Sequence, residues 1–147
     1  MFLILHSWLR WVVVVLGVIA VARLFTSPPE RWTGAEARTV GWFTRALDVQ
    51  VLLGLLLYLW LSPITRAAFH ALSASMHSAQ VRFWIVEHPI GMIGAMVLAH
   101  IGHARLRRGP DVRHRRAARW LLTLALLLLL ASIPWPGLVY GRPLFRW

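Results

Sequence analysis

Residues Phe2–Phe25 read FLILHSWLRWVVVVLGVIAVARLF, and this stretch decides the fold. Only His6, Ser7, Arg10 and Arg23 interrupt an otherwise apolar run. About 20 such residues cross a bilayer as a helix. Ser27-Pro28-Pro29 then stops the run. Three further stretches share this form: Trp42–Ser62, closed by Ser62-Pro63; Phe83–Ala104, followed by Gly109-Pro110; and Trp120–Gly137, which ends through Pro134-Trp135-Pro136. The connectors are too short to fold as domains, and there is no internal repeat. The expectation is one domain over residues 1–147: an all-α integral membrane four-helix bundle. Ala20-Val21-Ala22 looks like a signal-peptide cleavage site, but no basic region precedes it and Arg10 breaks the apolar run. The segment therefore reads as a retained helix.

Composition points the same way. The chain is 59% hydrophobic and 14% charged, whereas soluble domains are about 45–50% apolar and about 25% charged. Zero Cys excludes disulfides, thiolate-held iron–sulfur clusters, Cys-type zinc sites and c-type haem. The net charge of +11 would fit a nucleic-acid partner, but the placement of the arginines speaks against it. Arg23, Arg31, Arg38 and Arg45 flank the first connector, and Arg105, Arg107, Arg108, Arg113, Arg115, Arg116 and Arg119 crowd the third. Only Arg66 and Arg82 flank the second, and Arg142 and Arg146 the tail. Eleven against four places the first and third connectors in the cytoplasm, with both termini on the outer (periplasmic) side. The charge is thus a topology signal facing lipid head groups, and no nucleic acid is expected. Most of the Trp residues mark span ends, as an interfacial belt does.

Ionisable residues at membrane depth are expensive, so function is sought among them. Counted from Arg23, His6 lies about 25 Å up the first helix, and His88 lies about 25 Å up the third counted from Arg105. Arg10, at about 20 Å, and Glu87, at about 27 Å, bracket the same layer. Below it, Asp48 and His100 sit near the Arg boundary and can pair with each other. On the third helix Gly91, Met92, Ala95, Ala99 and Gly102 follow His88 as a stripe of mostly small residues. Such a stripe admits a neighbouring helix or leaves room for a flat macrocycle. A haem b between two helices needs one neutral imidazole from each at equal height, and an arginine suits a propionate. The same residues also fit a structural reading, in which Glu87 neutralises Arg10 and His88 bonds a carbonyl freed by Pro89. His100 and His103, three apart, could share a metal but sit beside seven arginines. His70 and His77 would share a face if residues 67–78 formed one surface helix. No phosphate loop, nucleophile elbow or carboxylate dyad is present, which points to a carrier or a subunit more than to a stand-alone enzyme.

The strings Leu5-His6-Ser7-Trp8-Leu9-Arg10-Trp11, Gln50-Val51-Leu52-Leu53-Gly54-Leu55, Arg82-Phe83-Trp84-Ile85-Val86-Glu87-His88 and Ser132-Ile133-Pro134-Trp135-Pro136 fall one in each span. Together, in this order, they resemble a family of short four-span bacterial membrane proteins labelled cytochrome b or cytochrome b-like. The resemblance implies a haem-b electron-transfer protein or a small subunit of a respiratory or photosynthetic complex. It points to His6 and His88 as iron ligands, with Arg10 and Glu87 beside them. The second and fourth spans lack His, unlike dihaem cytochromes b, so one haem in the outer leaflet is expected. The alternatives are a cofactor-free accessory subunit, with the stripe and the tail Tyr140–Trp147 as contact surfaces, and a quinone site around His6, Arg10 and His88.

Overall fold

A computed structural model describes residues 1–26, 28–109 and 111–145. The chain is helical, and among the described residues there is no strand. α1 (Phe2–Thr26) is a single unbroken helix. A short 3₁₀ turn at Pro29–Arg31 leads to α2 (Gly34–Leu56), which opens with a capping box: Thr33 caps the helix while Glu36 accepts from the Thr33 backbone N–H. α2 continues through a π-helical turn, Leu57–Leu61, into Ser62-Pro63. Two short surface helices follow, α3 (Pro63–His70) and α4 (Leu72–His77). α5 (Ala79–Arg82) passes through a second π-helical turn, Phe83–Glu87, into α6 (His88–Arg107). Gly109, with φ +112°, supplies the left-handed residue that ends this rod. α7 (Val112–Ala131) completes the set, capped by Asp111.

The four long rods close a ring in which α1 packs on α2, α2 on α6, α6 on α7, and α7 on α1, leaving α1 and α6 on a diagonal. Fully buried Leu24, Val40, Phe43, Leu47, Leu122 and Leu129 form the core. The outside of the bundle is equally apolar: Val15, Leu52, Val97 and Leu127 are all exposed. A soluble surface does not carry apolar area on this scale, whereas a lipid-facing one does. Three rods, Phe2–Thr26, Gly34–Leu61 and Ala79–Arg107, are long and apolar enough to cross a membrane, which marks the chain as a membrane protein.

The fourth run differs from the sequence expectation. α7 begins eight residues before Trp120, among the arginines, and ends at Ala131, so Ser132–Gly137 is not helical. Its apolar helix, from Trp120 to Ala131, rises about 18 Å, short of the roughly 30 Å hydrocarbon core. The surface connector differs too. The backbone breaks at Ala71 (φ −135°, ψ 52°), so residues 67–78 do not form one helix and His70 and His77 do not share its face.

The small-residue stripe is spent on packing. Within the stripe, a Cβ on Gly91 would stand 2.1 Å from Ser132 Oγ and one on Gly102 2.9 Å from Leu122 Cγ; beside it, one on Gly94 would stand 3.1 Å from Leu128. These absences of side chain let α6 and α7 form the most extensive helix pair of the bundle. The tail is likewise used within the chain. Tyr140 stacks on Phe83 at 3.7 Å, and Phe145 packs against Trp8 and Trp11. The described tail, through Phe145, is therefore largely an intramolecular cap; Arg146 and Trp147 lie outside the described residues.

Candidate functional site

At the end of the bundle away from the arginine-rich connectors, each rod brings a polar group to one level. His6 comes from α1, Gln50 from α2, His88 from α6 and Ser132 from the C-cap of α7. Gln50 is 3% exposed. Its Nε2 donates to the His6 carbonyl at 3.0 Å and lies 3.3 Å from His6 Nε2. His6 packs on Gly54, where a Cβ would come within 3.2 Å of the ring. His88 Nδ1 donates to the Ser132 carbonyl at 2.8 Å, one of the carbonyls that the end of α7 leaves without a helical partner. That bond fixes the tautomer, leaving the lone pair on His88 Nε2. The two imidazole centres are 6.4 Å apart and nearly perpendicular, at 77°. Phe83 and Trp84 wall the His88 ring at 5.8 and 5.7 Å.

The π turn before His88 and Pro89 after it explain how this ring is aimed. Pro89 has no N–H for the Ile85 carbonyl. Tyr58 takes that carbonyl instead, donating its hydroxyl at 2.8 Å. His88 is thereby left to reach across to α7, so the carbonyl it bonds is not the one that Pro89 frees.

Two small cavities flank the histidine pair. One, of about 60 Å³, is lined by His6, Arg10, Gln50, Trp84, His88 and Arg142, among others. The other, of about 40 Å³, lies towards Gly54 and Tyr58; His6, Gln50, His88 and Met92 line both. Arg10 donates through Nη2 to the Leu144 carbonyl at 2.6 Å, which also accepts from Trp11 Nε1 at 3.0 Å. The Arg142 guanidinium lies 5.3 Å over Trp84. Of the four sequence-predicted site residues, His6, Arg10 and His88 come together. Glu87 does not: it faces outward and pairs with Arg82 at 2.9 Å, so it neither neutralises Arg10 nor reaches an imidazole. Gln50, Trp84, Ser132 and Arg142 join the site without having been assigned to it. In the sequence Gln50 stands out only as a polar residue within the second apolar stretch, and Arg142 only as a charge in the tail.

The lower layer behaves as the sequence implied at one point. Asp48 and His100 pair at 2.7 Å. His103 turns to Thr44, at 3.5 Å between Nδ1 and Oγ1, so His100 and His103 do not converge on one metal. Among the described residues no three His, Asp or Glu side chains gather as a metal site.

The residues at the upper layer fit a bis-histidine haem in donor chemistry. Two imidazoles from diagonal helices, their centres 6.4 Å apart, are the nitrogen donors that a bis-histidine haem would take. A backbone carbonyl on the far ring nitrogen is the usual outer support of a metal-bound histidine, and His88 has it. His6 Nδ1 and Gln50 Oε1 are buried without a hydrogen-bond partner, an arrangement that folded interiors rarely keep. Room is the demanding term. Small-molecule sites are typically about 300–1,000 Å³, against about 60 and 40 Å³ beside the pair, so a macrocycle needs more room than these two cavities hold.

Fold and site together define a small helical membrane protein with a two-histidine polar centre between its rods. Comparison with protein-family models, curated proteins and solved structures finds no match.

Proposed function

We propose that this chain is a cytochrome-b-like electron-transfer protein of the bacterial inner membrane. In this reading His6 and His88 hold one haem b near the outer face, with the arginine-rich connectors in the cytoplasm and α7 crossing as the fourth member of the bundle. The observation that carries it is the facing pair of imidazoles at 6.4 Å, one of them fixed by the Ser132 carbonyl. When bound through two histidines, the haem supplies one-electron chemistry without an open iron position. Arg10 and Arg142 line the cavity beside the pair and are placed to meet carboxylates, which guanidinium binds in bidentate fashion. Gln50 holds His6 in place through its carbonyl. Trp84 and the Phe83–Tyr140 stack shield the His88 side from water. The test is a reduced-minus-oxidised absorption spectrum of the protein purified after expression with haem supplied. Sharp α and β bands are expected in the parent and absent from His6→Ala and His88→Ala. A parent protein without these bands overturns the reading.

A second reading is favoured by the packing of α6. Because Gly91, Gly94 and Gly102 are spent against α7, and the cavities are small, the polar layer also serves as a register lock in a cofactor-free accessory subunit. Gentle-detergent purification through a tag on this chain tests it. Recovery of the bare chain, with no stoichiometric partner, counts against the subunit role.

A further inference from the structure

The opposite end of the bundle carries a third cavity, of about 400 Å³, lined by Arg38, Gly41, Trp42, Arg45, His103 and Arg107. Two helix faces converge to make it. Arg38, Trp42 and Arg45 repeat along one side of α2, and His103 and Arg107, four apart, face them from α6. Gly41 keeps the floor open: a Cβ there would already touch the His103 ring at 3.4 Å. The Arg45 guanidinium lies 5.4 Å over the Trp42 ring, whose indole is 61% exposed.

Among the described residues no carboxylate forms an ion pair with these three guanidiniums. The chain has five Asp and Glu residues, and each is engaged elsewhere. Glu30 faces Arg116, Glu36 closes the α2 capping box, Asp48 holds His100, Glu87 holds Arg82, and Asp111 caps α7. Three cations around a half-open cavity therefore call for an external anion. Immediately along the same face of α2, towards the middle of the bundle, Val49 and Leu52 are exposed and apolar. A phosphate in the cavity would thus have a greasy strip running from it, and an indole beside it at the level where Trp marks a membrane interface.

We infer that this cavity is a binding site for the phosphodiester head group of an anionic phospholipid, whose acyl chains lie along Val49 and Leu52. Basic pockets between membrane helices bind such head groups, each arginine contributing about fivefold in affinity. The site shares no residue with the histidine centre, so it does not depend on the haem reading.

The experiment uses the full chain in neutral detergent, with native mass spectrometry reading bound lipid. Phosphatidylglycerol, phosphatidylcholine and inorganic phosphate are added in separate arms. One phosphatidylglycerol per chain is expected to survive activation, phosphatidylcholine is not, and millimolar inorganic phosphate does not displace the lipid. Arg38→Gln, Arg45→Gln and Arg107→Gln each weaken retention about fivefold. A control with Arg31→Gln, Arg108→Gln and Arg113→Gln removes the same charge from exposed positions outside the cavity and leaves retention unchanged. Equal loss in the control, or equal retention of phosphatidylcholine, overturns the site. Displacement by inorganic phosphate overturns the lipid assignment in favour of a free anion. Arg38→Gln alone, at an exposed position, keeps the test readable if a combined variant does not fold.

Discussion

Gly91→Ala adds a single methyl group where α6 and α7 meet, next to the residue whose carbonyl holds His88. The new Cβ would stand 2.1 Å from Ser132 Oγ and 3.2 Å from Ser132 Cβ. Ser132 Oγ donates to the Leu128 carbonyl at 2.8 Å, so clearing the methyl means abandoning that bond. Alanine gains about 1 kcal/mol over glycine in helix propensity. Against this stand about 1 kcal/mol for the lost hydrogen bond and about 1–3 kcal/mol for overpacking. Overpacking decides the sign, and a net loss of about 1–3 kcal/mol follows. In a Ser132→Ala background the hydroxyl is gone and only the 3.2 Å contact with Cβ remains. There Gly91→Ala falls within about 1 kcal/mol of neutral, so the double-mutant cycle returns a coupling of about 1–2 kcal/mol. The assay is unfolding of the four proteins in mixed micelles under increasing sodium dodecyl sulfate, followed by helical circular dichroism. Gly91→Ala as stable as the parent, or equally damaging in both backgrounds, refutes the claim that this glycine exists to admit Ser132.

Three further outcomes follow from single contacts. Tyr58→Phe leaves the Ile85 carbonyl without its donor, at a cost of about 1–2 kcal/mol; in a Pro89→Ala background, where residue 89 regains an N–H, the cost falls to near zero in the same unfolding assay. Glu87→Gln leaves the absorption spectrum of the haem-loaded protein and its histidine dependence unchanged, because Glu87 faces Arg82; a lost or shifted spectrum places it back in the site. Asp48→Asn changes the acceptor of a His100 contact whose side chains are 36–51% exposed, so it costs under about 1 kcal/mol in denaturant titrations.

Much of the site could be read by counting. A regular helix rises 1.5 Å per residue, so distances from the Arg boundaries put His6 and His88 at one height, and the structure brings their rings together. The Asp48–His100 pair follows from the same count. Glu87 does not, because the Phe83–Glu87 stretch is π-helical. Each wider turn offsets the face by a fraction of a turn, and the 3.6-residue rule no longer says where Glu87 points. Gln50 and Arg142 escape for another reason. Gln50 meets His6 across 44 residues of sequence, and Arg142 arrives only because the tail folds back, its N–H bonding the Pro134 carbonyl. No periodicity links such partners. The small-residue stripe was visible but ambiguous, since glycine permits either a close helix or a ligand; only the fit of Ser132, Leu128 and Leu122 against it decides.

The two ends of the bundle differ in backbone as much as in side chains. Towards the arginine-rich end α1, α2 and α6 are regular helix around Leu24, Phe43 and Leu122. Towards the histidine end the regularity fails four times: the π turn at Leu57–Leu61, the π turn at Phe83–Glu87, Pro89, and the end of α7 at Ala131. Each failure leaves carbonyls that lipid cannot satisfy. Side chains take them: Tyr58 for Ile85, Trp135 for Leu130, His88 for Ser132. Arg10 and Trp11 likewise hold Leu144 in the returning tail. Polar residues at this level thus have a structural task that would explain their presence without any cofactor. A cap, however, uses only one nitrogen of an imidazole. His88 satisfies its carbonyl through Nδ1 and keeps a lone pair on Nε2; His6 meets the Gln50 amide N–H through Nε2 and keeps a buried Nδ1–H that no backbone group engages. Trp11 and Trp135 spend their single N–H on the structural task, whereas a histidine has a second ring nitrogen. What the caps leave over is a pair of ring nitrogens on diagonal helices, and the functional proposal rests on that remainder.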